Sequence, residues 1–216
     1  FVMIRLAPGD PALQQLGSRG ARDPERVAAL RAKLGLDQPI PVQYAIWLRY
    51  AATGDLGQSV KNREPVLDLI KPKLMATLQL ILAALIIAVT VAFVLGVVAA
   101  VRAGNGIDYL VRTFVVVGLA IPTYWLGLIL VLVFAVGLKW LPVSGYTPFF
   151  EDPADNLRHL VLPALSLALF EAAFFTRFLR GGLLETLRQD YVRTAHAKGL
   201  SQAAVISGHA LKNALI

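Results

Sequence analysis

Residues 75–101, MATLQLILAALIIAVTVAFVLGVVAAV, run for 27 positions without a charged side chain. At about 1.5 Å of rise per residue, a helix of that length crosses roughly 30 Å of hydrocarbon with some tilt. The stretch predicts a membrane-spanning helix, and its neighbours repeat the pattern. After the polar link 102–112, which holds Gly104-Asn105-Gly106, residues 113–138 form a second uncharged run of 26. This run is expected to span as one helix kinked at Pro122, because neighbouring helices can satisfy the carbonyl that a proline frees. A third span is expected over 160–178. It contains Glu171, and an ionisable group at membrane depth is a functional-site candidate by default. Two blander readings stand beside these candidates: Pro122 as a packing kink with no gating role, and Glu171 near the headgroups, paired with Arg177 or a cation of a partner chain.

Composition agrees with a membrane protein. Of the 216 residues 56% are hydrophobic and 16% charged, too apolar for the core of a soluble domain, and mean hydropathy is +0.62. The absence of cysteine excludes disulfide scaffolds, zinc-thiolate sites, iron-sulfur clusters and thiol catalysis. The net charge of +7 (21 basic minus 14 acidic) raises the question of nucleic acid, which the placement of the charge answers against. Between Gly9 and Lys73 the two signs interleave. From Arg177 onward, Arg177, Arg180, Arg188, Arg193, Lys198 and Lys212 face only Glu185 and Asp190, as expected of a cytoplasmic loop following a span. That places 102–112 and the C-terminal segment inside, and 9–72 and 139–158 outside. Trp140 and Tyr146 suit an outer interfacial anchor.

Local signals organise the rest. Asp23-Pro24-Glu25 predicts a helix start, Val27, Leu30 and Leu34 repeat at helical spacing, and Gly35 is placed to end the helix. Pro41 to Ala52 reads as an aromatic-rich surface helix in which Trp47 anchors at the membrane interface, and Thr53 to Ser59 as a turn-rich loop. Near the other end, Asp190 to Lys198 predicts a helix stopped by Gly199, with Ser201 capping the next one. Ala195 and Ala197 give the Asp190 helix a low-profile surface for a groove on another protein, toward which Arg193 and Lys198 would steer it; on periodicity alone an ordinary amphipathic helix on the cytosolic face is the favoured reading. The chain opens within an apolar stretch, Phe1-Val2-Met3-Ile4, and reaches Ile216 without a stop signal, so a piece of a longer polypeptide is expected.

Several strings are recognisable together. Leu6-Ala7-Pro8-Gly9-Asp10-Pro11, Leu34-Gly35-Leu36-Asp37-Gln38-Pro39 and Gly54-Asp55-Leu56-Gly57-Gln58-Ser59 resemble, in order and spacing, the outer segment of inner-membrane permeases of dipeptide, oligopeptide and nickel ABC importers. Ile121-Pro122-Thr123-Tyr124-Trp125-Leu126-Gly127, Trp140-Leu141-Pro142-Val143-Ser144-Gly145-Tyr146 and His159-Leu160-Val161-Leu162-Pro163-Ala164 look like the same family. Asp190-Tyr191-Val192-Arg193-Thr194-Ala195-His196-Ala197-Lys198-Gly199-Leu200 resembles the loop by which such permeases dock on their ATPases. It departs from the general pattern at Arg193 and Thr194, which stand where Glu and the first Ala would fall, and at Lys212, which stands for a Pro.

The resemblance implies an all-α, polytopic transmembrane bundle with the type I ABC importer permease fold. The chain would hold the end of the first span at 1–8, an extracytoplasmic segment at 9–72, and an incomplete transmembrane domain at 73–216. The spans within that domain would be 75–101, 113–138 and 160–178, followed by a cytosolic loop at 179–216, and the last two spans would be absent. It implies an ATPase-coupling helix formed by Asp190, Tyr191, Arg193, Thr194, Ala195, His196, Ala197, Lys198 and Gly199, and leaves Pro122 and Glu171 as possible pathway or gating residues. The implied partners are a second permease, two cytosolic ATPases, an extracytoplasmic binding protein and the lipid bilayer, with no nucleic acid. No cofactor, metal or catalytic residue is expected, and no Gly-x-x-x-x-Gly-Lys-Ser/Thr loop occurs to cradle a phosphate. Peptides are the expected cargo, with nickel chelates or glutathione-like peptides as alternatives and a non-transporting scaffold or sensor as the rival class. A membrane enzyme using Glu171 with His159, His196 and His209 is disfavoured, since no two of these histidines have the i, i+4 spacing of a helical metal site.

Overall fold

The computed structural model describes residues 1–3, 9–10, 12–13, 16, 22–33, 35–59 and 64–214, apart from the side chains of Lys33 and His209. Most of the expected span end at 1–8, Leu34 and Ile216 lie outside the described residues. The chain divides into two compact units, Phe1–Met75 and Ala76–Ile216.

In the first unit, α1 (Pro24–Lys33) starts as its sequence predicts: the Asp23 carboxylate accepts from the amides of Glu25 and Arg26 at 3.2 and 3.3 Å. Gly35, at φ +65°, ends the turn in the left-handed conformation that glycine adopts at least cost. Arg31 reaches back to Asp10, its Nε 2.8 Å from the carboxylate, and this guanidinium holds the Asp10 carboxyl below its ordinary pKa. α2 (Ile40–Ala52) buries no residue; Tyr44 and Trp47 stack on each other at 6.0 Å between ring centroids, and the Phe1 ring lies tilted against both at 5.6 and 5.7 Å. α3 (Val66–Val101) begins in this unit and continues through Val101 in the second; it contains the whole 75–101 run and is long and apolar enough to cross a membrane.

The second unit is organised around α6 (Pro153–Thr186), the other helix that meets that length and composition test among the described residues. Asp152 caps it by accepting from the amides of Ala154 and Asp155, and Pro153 occupies the first turn, where its missing N–H costs nothing. α4 (Gly106–Ala120) and α5 (Thr123–Leu130) both pack on α6. α5 continues as π-helix over Val131–Gly137, where the Leu138 amide bonds the Val133 carbonyl five residues back.

Small residues make these contacts. Ala84, Ala88, Ala92, Gly96 and Ala100 recur every fourth position on α3, as Ala164, Ala168, Ala172 and Thr176 do on α6, and all are buried. Ala84 and Ala88 pack directly against Ala168 and Ala172. A β-carbon placed on Gly118 of α4 would stand 2.8 Å from that of Ala173, and one on Gly96 would stand 3.1 Å from the Leu179 side chain. Large apolar side chains such as Leu82, Ile86 and Leu110 point outward instead. Lipid is as apolar as leucine, so helices in it associate through close van der Waals approach, which small residues permit.

One expectation is corrected. The kink expected at Pro122 is a full break within residues 113–138: α4 ends at Ala120, α5 begins at Thr123, and the two are bent by 100°. The cause is local. Pro122 has no N–H for the Gly118 carbonyl and forces the residue before it out of helical geometry; Ile121 is extended at φ −78°, ψ 123°.

Gly118→Val should lower the melting temperature in detergent, reflecting a loss of about 1–3 kcal/mol from overpacking. Gly106→Ala, where a β-carbon would meet nothing within 4 Å, should stay within about 0.5 kcal/mol of the parent.

Candidate functional site

Pro122 and Glu171, picked out separately by the sequence, lie on one cavity. It has a volume of about 710 Å³ and is walled by α3 at Ile81, Ala84 and Leu85, by the helix break from Leu119 to Thr123, and by α6 at Leu167, Phe170 and Glu171. Glu171 is near the middle of α6 and exposed to this space. The expected pairing with Arg177 is absent: the Arg177 guanidinium instead lies over the rings of Phe174 and Phe178, 5.9 and 5.7 Å from their centroids. Six positions apart on a helix, Glu171 and Arg177 face different directions.

At the end of the bundle that carries the 102–112 link, Asp108 and Arg180 form a bidentate ion pair. Arg180 donates from Nε to Oδ1 at 2.6 Å and from Nη2 to Oδ2 at 2.8 Å, and the Gly104 amide donates to Oδ2 at 3.0 Å. Asp108 is 1% exposed. Asn105 caps α4 by accepting from the amides of Ile107 and Asp108. Sequence reasoning missed this site and counted Arg180 among free basic groups. The one local signal was an Asn followed three residues later by Asp, a capping pattern; the partner 72 residues away left no trace in it.

The C-terminal segment folds back on the same end. α7 (Asp190–Ala197) is followed by Gly199 at φ +83°, as its sequence predicts. α8 (Gln202–Val205) starts at Ser201, whose hydroxyl accepts from the Ala204 amide. α9 (Leu211–Ala214) then packs on α6, where a β-carbon on Gly182 would stand 2.6 Å from the Ala214 carbonyl oxygen. Leu179, Leu183, Ala100 and Ala210 form a buried cluster there.

α7 corrects a second expectation. Ala195 is not part of an exposed low-profile face; it is buried with Val192 against Val205 and Leu187. Val192, absent from the expected residues, is what seats the helix. Tyr191, Arg193, Thr194, His196, Ala197 and Lys198 face outward, with Asp190 on Arg193 at 3.7 Å and the Tyr191 hydroxyl accepting from Asn213 at 2.8 Å. Two turns of helix thus have a hydrophobic inner edge and a charged, exposed outer one.

At the opposite end of α6 a polar clamp holds the 139–152 loop. Asn156, 2% exposed, donates to the Thr147 carbonyl at 2.6 Å and to Gln79 of α3 at 3.2 Å, and Tyr146 donates to the same Gln79 oxygen at 3.3 Å. His159 belongs to this clamp, its Nδ1 2.9 Å from the Asp155 carbonyl, whereas His196 sits on α7 beyond the other end of α6. The side chain of His209 lies outside the described residues. His159 and His196 therefore share no site with each other or with Glu171.

Long apolar helices packed through small residues, with a proline-broken helix beside a cavity, define a polytopic membrane protein. Comparison with known sequences makes this specific. Residues 1–83 match the family described as the N-terminal part of the binding-protein-dependent transport system membrane component, and residues 92–216 match its inner membrane component. The chain belongs to this family of inner-membrane transport permeases. Over 216 residues it is 41% identical to a putative peptide transport system permease protein of Brucella suis, covering all of this chain and 68% of the relative. It is 42% identical over 214 residues to a probable peptide ABC transporter permease of Sinorhizobium fredii, covering 99% of this chain and 68% of that one. Against the di/tripeptide transport system permease DppB of Pseudomonas aeruginosa the identity is 41% over 236 residues, covering 100% and 70% respectively.

Asp108→Ala should destabilise the protein by about 3 kcal/mol, because it strands a guanidinium whose side chain is only 23% exposed. Adding Arg180→Met should recover part of that loss, and denaturation in detergent followed as a double-mutant cycle measures both.

Proposed function

We propose that this chain is a permease subunit of an ATP-driven importer, forming with a second permease the path for peptides delivered by an extracytoplasmic binding protein. The observation that carries the coupling role is α7: a short helix seated by Val192 and Ala195, ended by Gly199, with Asp190, Tyr191, Arg193, Thr194, His196, Ala197 and Lys198 turned outward. In this reading a cytosolic ATPase grips the outward face. The chain carries no phosphate-cradling loop, so ATP hydrolysis belongs to two separate subunits.

The orientation follows from the same assignment. The 102–112 link and the C-terminal segment, tied together through Asp108–Arg180 and the Ala100–Leu183–Ala210 contacts, lie on the cytosolic side, and the clamped 139–152 loop contributes to the outer face met by the binding protein. Motion of α7 reaches α6 through Leu187, which packs against both buried clusters. From α6 it reaches α4 through Asp108–Arg180, so that ATP-driven closure shifts the balance between inward-open and outward-open arrangements. Pro122 and Glu171, facing one cavity at the break, are the pathway residues in this scheme.

Gly199→Val places a β-branched residue at φ +83°, a conformation that costs about 1–2 kcal/mol for L-residues, and so deforms the end of α7. The variant should remain in the membrane yet lose substrate uptake and the ATPase stimulation that accompanies it, and normal uptake would count against the coupling role. A mild-detergent pull-down of the gene-length protein should bring down an ATPase and a second permease.

A further inference from the structure

The cavity at the break contains one ionisable side chain among its described wall residues, Glu171; the others are apolar apart from Thr123. A carboxylate in apolar surroundings at membrane depth is costly unless a cation, hydrogen-bond donors or water compensate it. Among the described residues Glu171 makes no ion pair or hydrogen bond, and the cation nearest to it in sequence, Arg177, is engaged with phenyl rings. Nor does the backbone supply a net charge of its own. The C-terminal end of α4 and the N-terminal end of α5 meet at this wall, and their opposed partial charges leave Glu171 as the fixed charge of the site.

The space is large enough for a small ligand: about 710 Å³ falls within the roughly 300–1,000 Å³ of small-molecule sites. Such sites combine apolar walls with a few polar groups that fix orientation. A peptide has a feature that such a wall would otherwise reject, its α-ammonium group, and a carboxylate is the side chain that offsets that charge. Broken helices are also where membrane transporters expose binding positions, because irregular backbone at membrane depth is tolerated only against protein or a cavity.

We propose that Glu171 receives the α-ammonium group of the peptide as it passes the α4–α5 break, so that the permease itself selects for a free amino terminus. This inference rests on the reading of the chain as a peptide permease and assigns a chemical selectivity within it. No covalent step is involved. Pro122 holds the wall open by ending α4.

The test uses the gene-length protein in its assembled complex, with binding protein and ATPases, in proteoliposomes. The probe is an equimolar mixture of alanyl dipeptides, alongside the same dipeptides N-acetylated, with uptake quantified by mass spectrometry. Discrimination by the binding protein cancels when each peptide is compared between parent and variant complexes that share that binding protein. Glu171→Gln should reduce uptake of free-amine dipeptides about tenfold or more, the scale of one lost hydrogen-bonded charge contact. It should leave residual uptake of the acetylated forms within about twofold, and so narrow the preference between them. Glu171→Asp, which keeps the charge, should restore part of the preference. Equal loss on both peptide sets, or unchanged uptake of the free-amine set, would overturn the inference. Loss of the second permease from the purified Glu171→Gln complex would also overturn it, by making Glu171 a subunit contact. Absence of dipeptide uptake by the parent complex would instead strike the peptide-permease reading itself, and the inference with it.

Discussion

Close approach to α6 is the constraint on which the second unit depends. Hydrocarbon surroundings remove the usual reason for leucines to cluster, so contact between helices rests on how near their backbones can come. Alanine, glycine and threonine at every fourth position of α3 and α6, with Gly118 of α4 against Ala173, supply that nearness. Three separate polar features then sit on a single helix: Asn156 at its start, Glu171 near its middle and Arg180 toward its end. A displacement of α6 is felt at all three, because packed elements transmit shifts rather than absorb them.

Two departures from regular structure give the bundle its shape around that helix. Pro122 ends α4 by chemistry alone, lacking a donor and constraining its predecessor, and the 100° turn beyond it opens the cavity. The Asp108–Arg180 pair does the opposite, securing the start of α4 to α6 by two short hydrogen bonds and a backbone amide. A buried ion pair adds little net stability compared with well-packed apolar residues, but breaking it is costly, so it holds α4 and α6 in one register. α4 is thus tied to α6 at its start and interrupted at the cavity at its other end.

Much of the local architecture was legible from the chain. The caps at Asp23 and Ser201 and the stops at Gly35 and Gly199 all appear, because capping depends on residues within one turn of each other. Less was legible at Pro122: the proline marks an interruption locally, but the 100° between the two helices depends on how each packs on α6, which is not encoded locally. Ala195 shows the same limit. A small residue reads equally well as a low outer surface or a close inner contact, and Val205 and Leu187 settled it as the latter.

By itself the sequence determined how many long apolar segments there are, where helices start and stop, and which family of membrane permeases the chain belongs to. Each of these rests on residues adjacent in the chain or on strings recognisable in order. Only the tertiary structure decided which faces meet, that Asp108 finds Arg180, that Pro122 and Glu171 share a cavity, and that Ala195 turns inward. The physical reason is that in a membrane both the packed and the lipid-facing sides of a helix are apolar. Hydrophobic pattern therefore identifies the helix without identifying its contact face, and the contact face emerges only when backbones approach one another in three dimensions.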